Sequence, residues 1–314
     1  MDIKVSVIIP TYRRDRTLEK AVQSVINQSY SNIEIIVVDD NDPSSEFGYQ
    51  VEVMITKMQT IYTNIVYLRN SSNLGSAKTR NIGIFNATGE YITFLDDDDI
   101  YEPDKIIKQL TFMEKNSLDM SFTDLVLKND YEKIVDVRRR DNLKHYDTNT
   151  LLKYHLMYHI TGTDTFMYKN DFLKGIGGFD SIDIGDEFYL MVKTIKSSAK
   201  IGYLPSSEVV AYIHNNKGGL STGDNKITGE NNLYEFKKKF FYKLTLREKM
   251  FVRFRHHAVL AVTGLRSKDF LLLFKHSFLA AVASPLDTVI EPIGFIKRIM
   301  STKHENIKNG YLDL

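Results

Sequence analysis

Four short apolar runs rich in β-branched residues punctuate the first hundred positions: residues 5–10 (VSVIIP), 33–38 (IEIIVV), 64–68 (NIVYL) and 91–95 (YITFL). Continuous runs of this length read as strands buried on both faces, the kind that parallel sheets require. Between them, apolar positions recur at helical spacing. Leu18, Ala21, Val22, Val25 and Ile26 form one face, and Phe47, Val51, Met54, Ile55, Met58 and Ile61 another. Residues 76–85 read as a third helix. Pro103 suits the first turn of a fourth, whose face is Ile106, Ile107, Leu110 and Met113. Strand and helix in alternation predict a doubly wound α/β layer over residues 1–115.

The second half is less regular. Residues 120–128, 134–138, 200–204 and 208–214 read as strands, and 151–158 and 186–195 as helices. From Glu230 the pattern is mostly helical and increasingly basic. Residues 237–314 carry 15 Lys/Arg and 6 Asp/Glu, whereas residues 1–236 carry 26 and 34. An acidic body with a basic tail points to an anionic surface as partner of the tail. Within residues 237–257, cations alternate with Phe240, Phe241, Tyr242, Phe251 and Phe254, the composition of an interfacial helix on anionic lipid. Residues 270–286 add a candidate for shallow insertion, interrupted by Lys275, His276 and Pro285. A helical subdomain packed on the α/β body, or on a partner subunit in a homo-oligomer, is the alternative. His256 and His257 read as surface residues.

Composition excludes several classes. At 43% hydrophobic and 26% charged residues the chain is neither disordered nor fibrous. It has no cysteine, which excludes a disulfide scaffold, a zinc–thiolate site and a cysteine nucleophile. No apolar window is long enough for a clear membrane span, and no secretory leader is visible. No GxGxxG or Walker loop follows the first strand.

The chemistry concentrates where strands end, since ligands of open parallel sheets bind beyond the carboxyl ends. The first strand ends at Thr11-Tyr12, the second at Asp39-Asp40 and the fourth at Asp96-Asp97-Asp98-Asp99. Four consecutive aspartates raise one another's pKa or bind a cation. All-oxygen ligation favours Mg²⁺ or Mn²⁺. An acidic turn capping the following helix is the plainer alternative.

VSVIIPTYRR, IEIIVVDD, NLGSAKTRNIG and GEYITFLDDDD with the following Pro103, in that order over residues 3 to about 115, resemble glycosyltransferase family 2. GGFD at 177–180 and the helix at Asp186-Glu187 extend the resemblance more weakly. It implies an inverting, nucleotide-sugar-dependent enzyme of the GT-A fold, a Rossmann-like, doubly wound mixed sheet. Residues 1–229 would be the catalytic domain, with a nucleotide-sugar half (1–115) and an acceptor half (116–229). Residues 230–314 would be a basic helical extension.

The resemblance also implies roles. Thr11 and Tyr12 would lie under the base of a UDP-sugar, and Asp40, or else Asp39, would accept a hydrogen bond from it. Arg80 would lie near the nucleotide, or bridge to the acidic rim. Asp96 would contact the ribose or a metal-bound water, and Asp98 would ligate Mn²⁺ or Mg²⁺. Asp97 and Asp99 would be spacers, Asp97 bordering the nucleotide site. The catalytic base falls in the pair Asp186-Glu187, whose order is the reverse of the family's; Glu187 holds the base position in register, with Asp186 the alternative. His214 would approach the metal or the diphosphate, or be structural.

By analogy the acceptor is a glycan or lipid-linked hydroxyl in surface polysaccharide or glycolipid synthesis, and the enzyme is cytoplasmic and peripheral on the inner face of the membrane. A nucleotidyltransferase would carry a glycine-rich loop where TYRR stands. An inactive carbohydrate-binding relative would not need the acid set. Nucleic acid is not an expected partner, because an acidic body repels a phosphate backbone.

Overall fold

The computed structural model describes residues 2–14, 16–140, 142–182, 184–213 and 223–308. The chain divides into two compact units, one of residues Met1–Tyr146 and Thr161–Ile213, the other of Asp147–Ile160 and His214–Leu314.

The first unit is the α/β body. Its strands are β1 (Val5–Thr11), β2 (Ile33–Asp39), β3 (Ile65–Arg69), β4 (Tyr91–Phe94), β5 (Ile100–Tyr101), β6 (Met120–Thr123), β7 (Leu125–Asn129), β8 (Ile134–Arg138), β9 (Met167–Lys169), β10 (Ile201–Leu204) and β11 (Val209–Ile213). Seven of them form the main sheet in the order β10-β6-β9-β4-β1-β2-β3. All its pairings are parallel except those of β9, which runs antiparallel to both β4 and β6. A mixed sheet of the GT-A kind results. β1 and β2 are buried along nearly their whole length, as their unbroken apolar runs require. The polar exceptions are paired: Ser6 of β1 donates to Glu34 of β2, and Glu34 also accepts from the Thr88 amide and hydroxyl.

Helices α1 (Arg16–Ile26), α2 (Glu46–Gln59), α3 (Ser76–Asn86) and α4 (Lys105–Asn116) connect the strands. α1 buries Leu18, Ala21, Val22 and Val25, the stripe anticipated from spacing. The chain passes from β1 through β2 to β3 and then returns to the other side of β1 as β4. That reversal opens a crevice at the carboxyl ends of β1 and β4.

Residues 120–128, expected as one strand, are two. The chain breaks at Asp124, and β7 joins a second sheet of order β5-β11-β7-β8. The buried Asp124 carboxylate accepts hydrogen bonds from Tyr203 (2.5 Å) and Ser207 (3.3 Å), so a polar group stands where a continuous strand would need none.

The second unit is helical: α5 (Thr148–Tyr158), α8 (Gly223–Lys238), α9 (Leu246–Ser267), α10 (Phe270–Ala283) and α11 (Pro285–Lys308); α6 (Asn170–Gly175) and α7 (Asp186–Lys196) belong to the first. It includes residues 147–160 as well as C-terminal residues. α9 starts with a capping box between Thr245 and Glu248. Phe251 and Phe254 of α9 pack against Ala280 of α10, with Met157, Ala258 and Ala283 around them.

That packing corrects two expectations. Phe251, Val252 and Phe254 are core residues, not a lipid-facing row, and Lys237 is buried, 2.6 Å from His159. His256 and His257 are not surface residues: His256 is buried against Glu230 at 3.2 Å, and half-buried His257 meets His276 at 3.1 Å.

Candidate active site

The acidic run after β4 gives its four side chains four different surroundings. Asp97 turns inward and accepts from the Thr11 hydroxyl (2.7 Å) and the Tyr12 amide (3.2 Å), fastening the end of β1. Burial first, and the neighbouring Asp98 charge second, push Asp97 up to about 7. Asp99 also turns inward. It accepts from the Tyr212 amide of β11 at 2.9 Å and is hydrogen-bonded to the fully enclosed Asp164. Burial, and then the charge of Asp164, raise Asp99 well above the ordinary carboxylate range. Asp96 and Asp98 keep the more accessible carboxylates, 38% and 20% exposed at the side chain. Residues 96–99 form a tight turn, closed by the Asp99 amide donating to the Asp96 carbonyl at 3.1 Å, and the turn sends successive side chains in different directions.

Guanidinium groups meet both outward acids. Arg14 lies 2.8 Å from Asp98, and Arg80 lies 2.6 Å from Asp96 and 2.8 Å from Asp186. Arg80 is buried and stacks at 5.5 Å over the Phe179 ring. Burial opposes its charge, but Asp96 and Asp186 more than offset that and hold it firmly protonated.

α3 is the organiser. Ser76 and Arg80, one turn apart, both donate to Asp186 at the head of α7. Asn81 pins the glycine-rich turn, exchanging two 2.8 Å hydrogen bonds with the backbone of Phe179. Gly178 has φ +60, and a Cβ there would lie 2.4 Å from the Asn81 oxygen, so only glycine fits.

The two acids of α7 are thereby differentiated. Asp186 is committed to Arg80 and Ser76, and also accepts from the Glu187 amide at 2.9 Å. Glu187 is raised by burial first and by the Asp186 carboxylate second. A carboxyl raised toward neutrality beside an ion-paired partner is suited to proton transfer.

Asp39 and Asp40 are both buried and hydrogen-bonded. Asp39 accepts from Asn41 and from Tyr67 at 2.7 Å. Asp40 accepts from Asn70 and the Leu74 amide on one oxygen, and from the Gly75 amide at 3.0 Å on the other. Tyr12 is 40% exposed beside the crevice, with the Arg13 guanidinium 5.0 Å from its ring. His214 lies outside the described residues.

Oxygens of Asp96, Asp99 and Asp164 lie within 4.8 Å of one another, a donor set that suits Mg²⁺ or Mn²⁺. Of these three Asp96 is the accessible one, and Asp98 is the other outward-facing acid of the run. The residues fit such an ion: the acids at this rim already draw a cationic group onto each outward carboxylate.

Asp164 and Arg14 are additions to the expected set. The Asp96 amide donates to Asp164 at 2.9 Å, so this fifth aspartate fixes the backbone of the acidic run. Its only signal in sequence is a lone acid in TGTDT before an apolar strand.

Residues 6–176 match the model of the family described as "Glycosyl transferase family 2". An uncharacterised glycosyltransferase of Rickettsia felis is 40% identical over 39% of this chain and 19% of its own length. The putative teichuronic acid biosynthesis glycosyltransferase TuaG of Bacillus subtilis is 39% identical over 38% of this chain and 45% of its own. The chain thus spans under half the length of these curated relatives. The crystal structure of S. aureus TarS residues 1–349 in complex with UDP-GlcNAc shares the fold, with a TM-score of 0.58, 17% identity and coverage of 89% of this chain and 91% of that one.

Proposed function

The chain belongs to glycosyl transferase family 2, and we propose that it moves a sugar from a UDP-sugar to a hydroxyl of a glycan or lipid-linked acceptor, with inversion, in surface polysaccharide or glycolipid synthesis. One observation carries the reading. Arg80 ties the acidic run after β4 to the acidic pair on α7, so the two parts that transfer requires share a single cation. The teichuronic acid relative supports a polysaccharide setting, and the UDP-GlcNAc complex of TarS supports a UDP-sugar donor.

In this reading Tyr12 offers its exposed ring to the uracil face. Asp40, whose second oxygen carries one donor and keeps a lone pair, accepts from the base. Asp98, with Asp96, would hold Mg²⁺ or Mn²⁺, which when bound neutralises charge on the departing diphosphate. The acceptor oxygen attacks the anomeric carbon in line while the bond to the diphosphate breaks. Its proton passes to Glu187, and Asp186 keeps Glu187 oriented and Arg80 in place.

The test is transfer from a panel of UDP-, GDP- and dTDP-sugars, with the anomeric configuration of the product read by NMR. Inverted product from a UDP-sugar is expected. Retained configuration overturns the single displacement, and exclusive use of another nucleotide overturns the donor.

A further inference from the structure

We propose that the outward faces of α10 and α11 form a docking surface for an anionic lipid bilayer, lying in its interface without crossing it. Phe270, Phe274 and Phe278 recur every four residues on α10 and are 61%, 70% and 68% exposed. Leu286, Val289 and Ile293 continue as one stripe on α11, 56%, 60% and 49% exposed. Large apolar side chains left in water along two successive helices mark an interaction surface. The opposite side of α10 is satisfied within its own unit, where His276 and Ala280 are buried.

Geometry decides between spanning and lying flat. No single described helix is long and apolar enough to cross a bilayer, and the pair Phe270–Ala283 and Pro285–Gly294 is bent by 109°. α10 has 14 residues, about 21 Å at the usual rise against a hydrocarbon core of about 30 Å. Two short, bent, one-sided helices suit an interfacial position.

Charge decides the occupant. Lys275 and Lys297 are exposed at the borders of the apolar stripes, and Arg266 and Lys268 precede them. Residues 237–314 carry 15 basic against 6 acidic side chains. Asp269 and Glu291 lie among these cations, but the excess of basic over acidic side chains across residues 237–314 complements an anionic bilayer, which also takes up the apolar row. The surface differs from the stretch 237–257 expected from sequence, where Phe251 and Phe254 are buried in the core.

The chain contains no tryptophan, so Phe278→Trp places a single reporter on the stripe in an aromatic-for-aromatic change. With vesicles of phosphatidylglycerol and phosphatidylcholine at low salt, its emission is expected to shift to the blue and to be quenched by brominated acyl chains. Phosphatidylcholine alone should give a weaker shift. The double substitution Phe274→Asp and Phe278→Asp, checked for unchanged helical content by circular dichroism, should lower the vesicle-bound fraction on flotation about tenfold or more. Emission unmoved by anionic vesicles overturns the proposal. So does a stable dimer, by light scattering, that the double substitution dissociates while flotation stays negative. Neither readout depends on sugar transfer, so failure here leaves the catalytic reading standing.

Discussion

The Arg80 guanidinium sits between Asp96 and Asp186, 2.6 Å from one and 2.8 Å from the other, joining the acidic turn after β4 to the head of α7. Lysine could neutralise one of them but has no planar fork to hold both. Arg80→Lys is therefore expected to lower turnover by a factor on the order of 10². Arg80→Ala strands the buried Asp186 charge and should cost about 3 kcal/mol in urea unfolding. Wild-type turnover in the lysine variant would show that the bridge is dispensable.

Glu187→Gln keeps shape and removes basicity. Turnover should fall by about 10²–10⁴ while UDP affinity by calorimetry stays near wild type. If Asp186→Asn is the crippled variant and Glu187→Gln is nearly intact, the base is Asp186.

The raised Glu187 carboxyl fixes a sign for the pH dependence. A base acts only when deprotonated, so kcat should fall as pH drops through a value above the ordinary carboxylate range. Removing the Asp186 charge takes away the second cause of that shift, so the residual activity of Asp186→Asn should show its acid limb at lower pH. A pH profile of Asp186→Asn identical to wild type would argue against coupling within the pair.

Excess EDTA should abolish transfer, and added Mn²⁺ or Mg²⁺ should restore it. Asp98→Ala should lose Mn²⁺ binding in the presence of UDP, measured by electron paramagnetic resonance. Asp99→Ala should retain more of it and instead lower the melting temperature, because Asp99 faces Asp164 and β11. Full transfer in EDTA would remove the metal from the reading.

Asp164 acts through Asp96, whose amide it accepts. Asp164→Ala leaves that amide without its acceptor, at a cost of about 1–3 kcal/mol, and should raise the donor KM more than it lowers kcat. Asp164→Asn retains an acceptor oxygen and should recover most of the KM. Equal losses in both variants would point to the contact with the Asp99 side chain as the feature that matters.

The main strands were legible because β1 and β2 are buried on both faces and need unbroken apolar runs. The three residues of β9 and the two of β5 carry no periodicity to detect. The break at Asp124 was hidden because Met120–Thr123 and Leu125–Asn129 are each apolar enough to read as one strand. At the site, the acidic run and the pair on α7 could be read as groups. Which acid turns inward could not, since that depends on Thr11, Tyr212 and Asp164, distant in sequence from the run. The exposed stripe on α10 and the buried aromatics of α9 look alike as compositions; only packing separates them.

Ser76, Arg80, Asn81 and Gly83 all lie on α3, the last so near β1 that a Cβ would come 2.5 Å from Ile8. A helix rotates about 100° per residue. A single insertion or deletion within α3 would therefore rotate the positions on one side of it off their partners while the others stay in register, splitting a set that has to act together. Length variation among relatives should thus spare the helix and also the loops that flank it, whose Leu74 and Gly75 amides hold Asp40 and whose Thr88 amide holds Glu34.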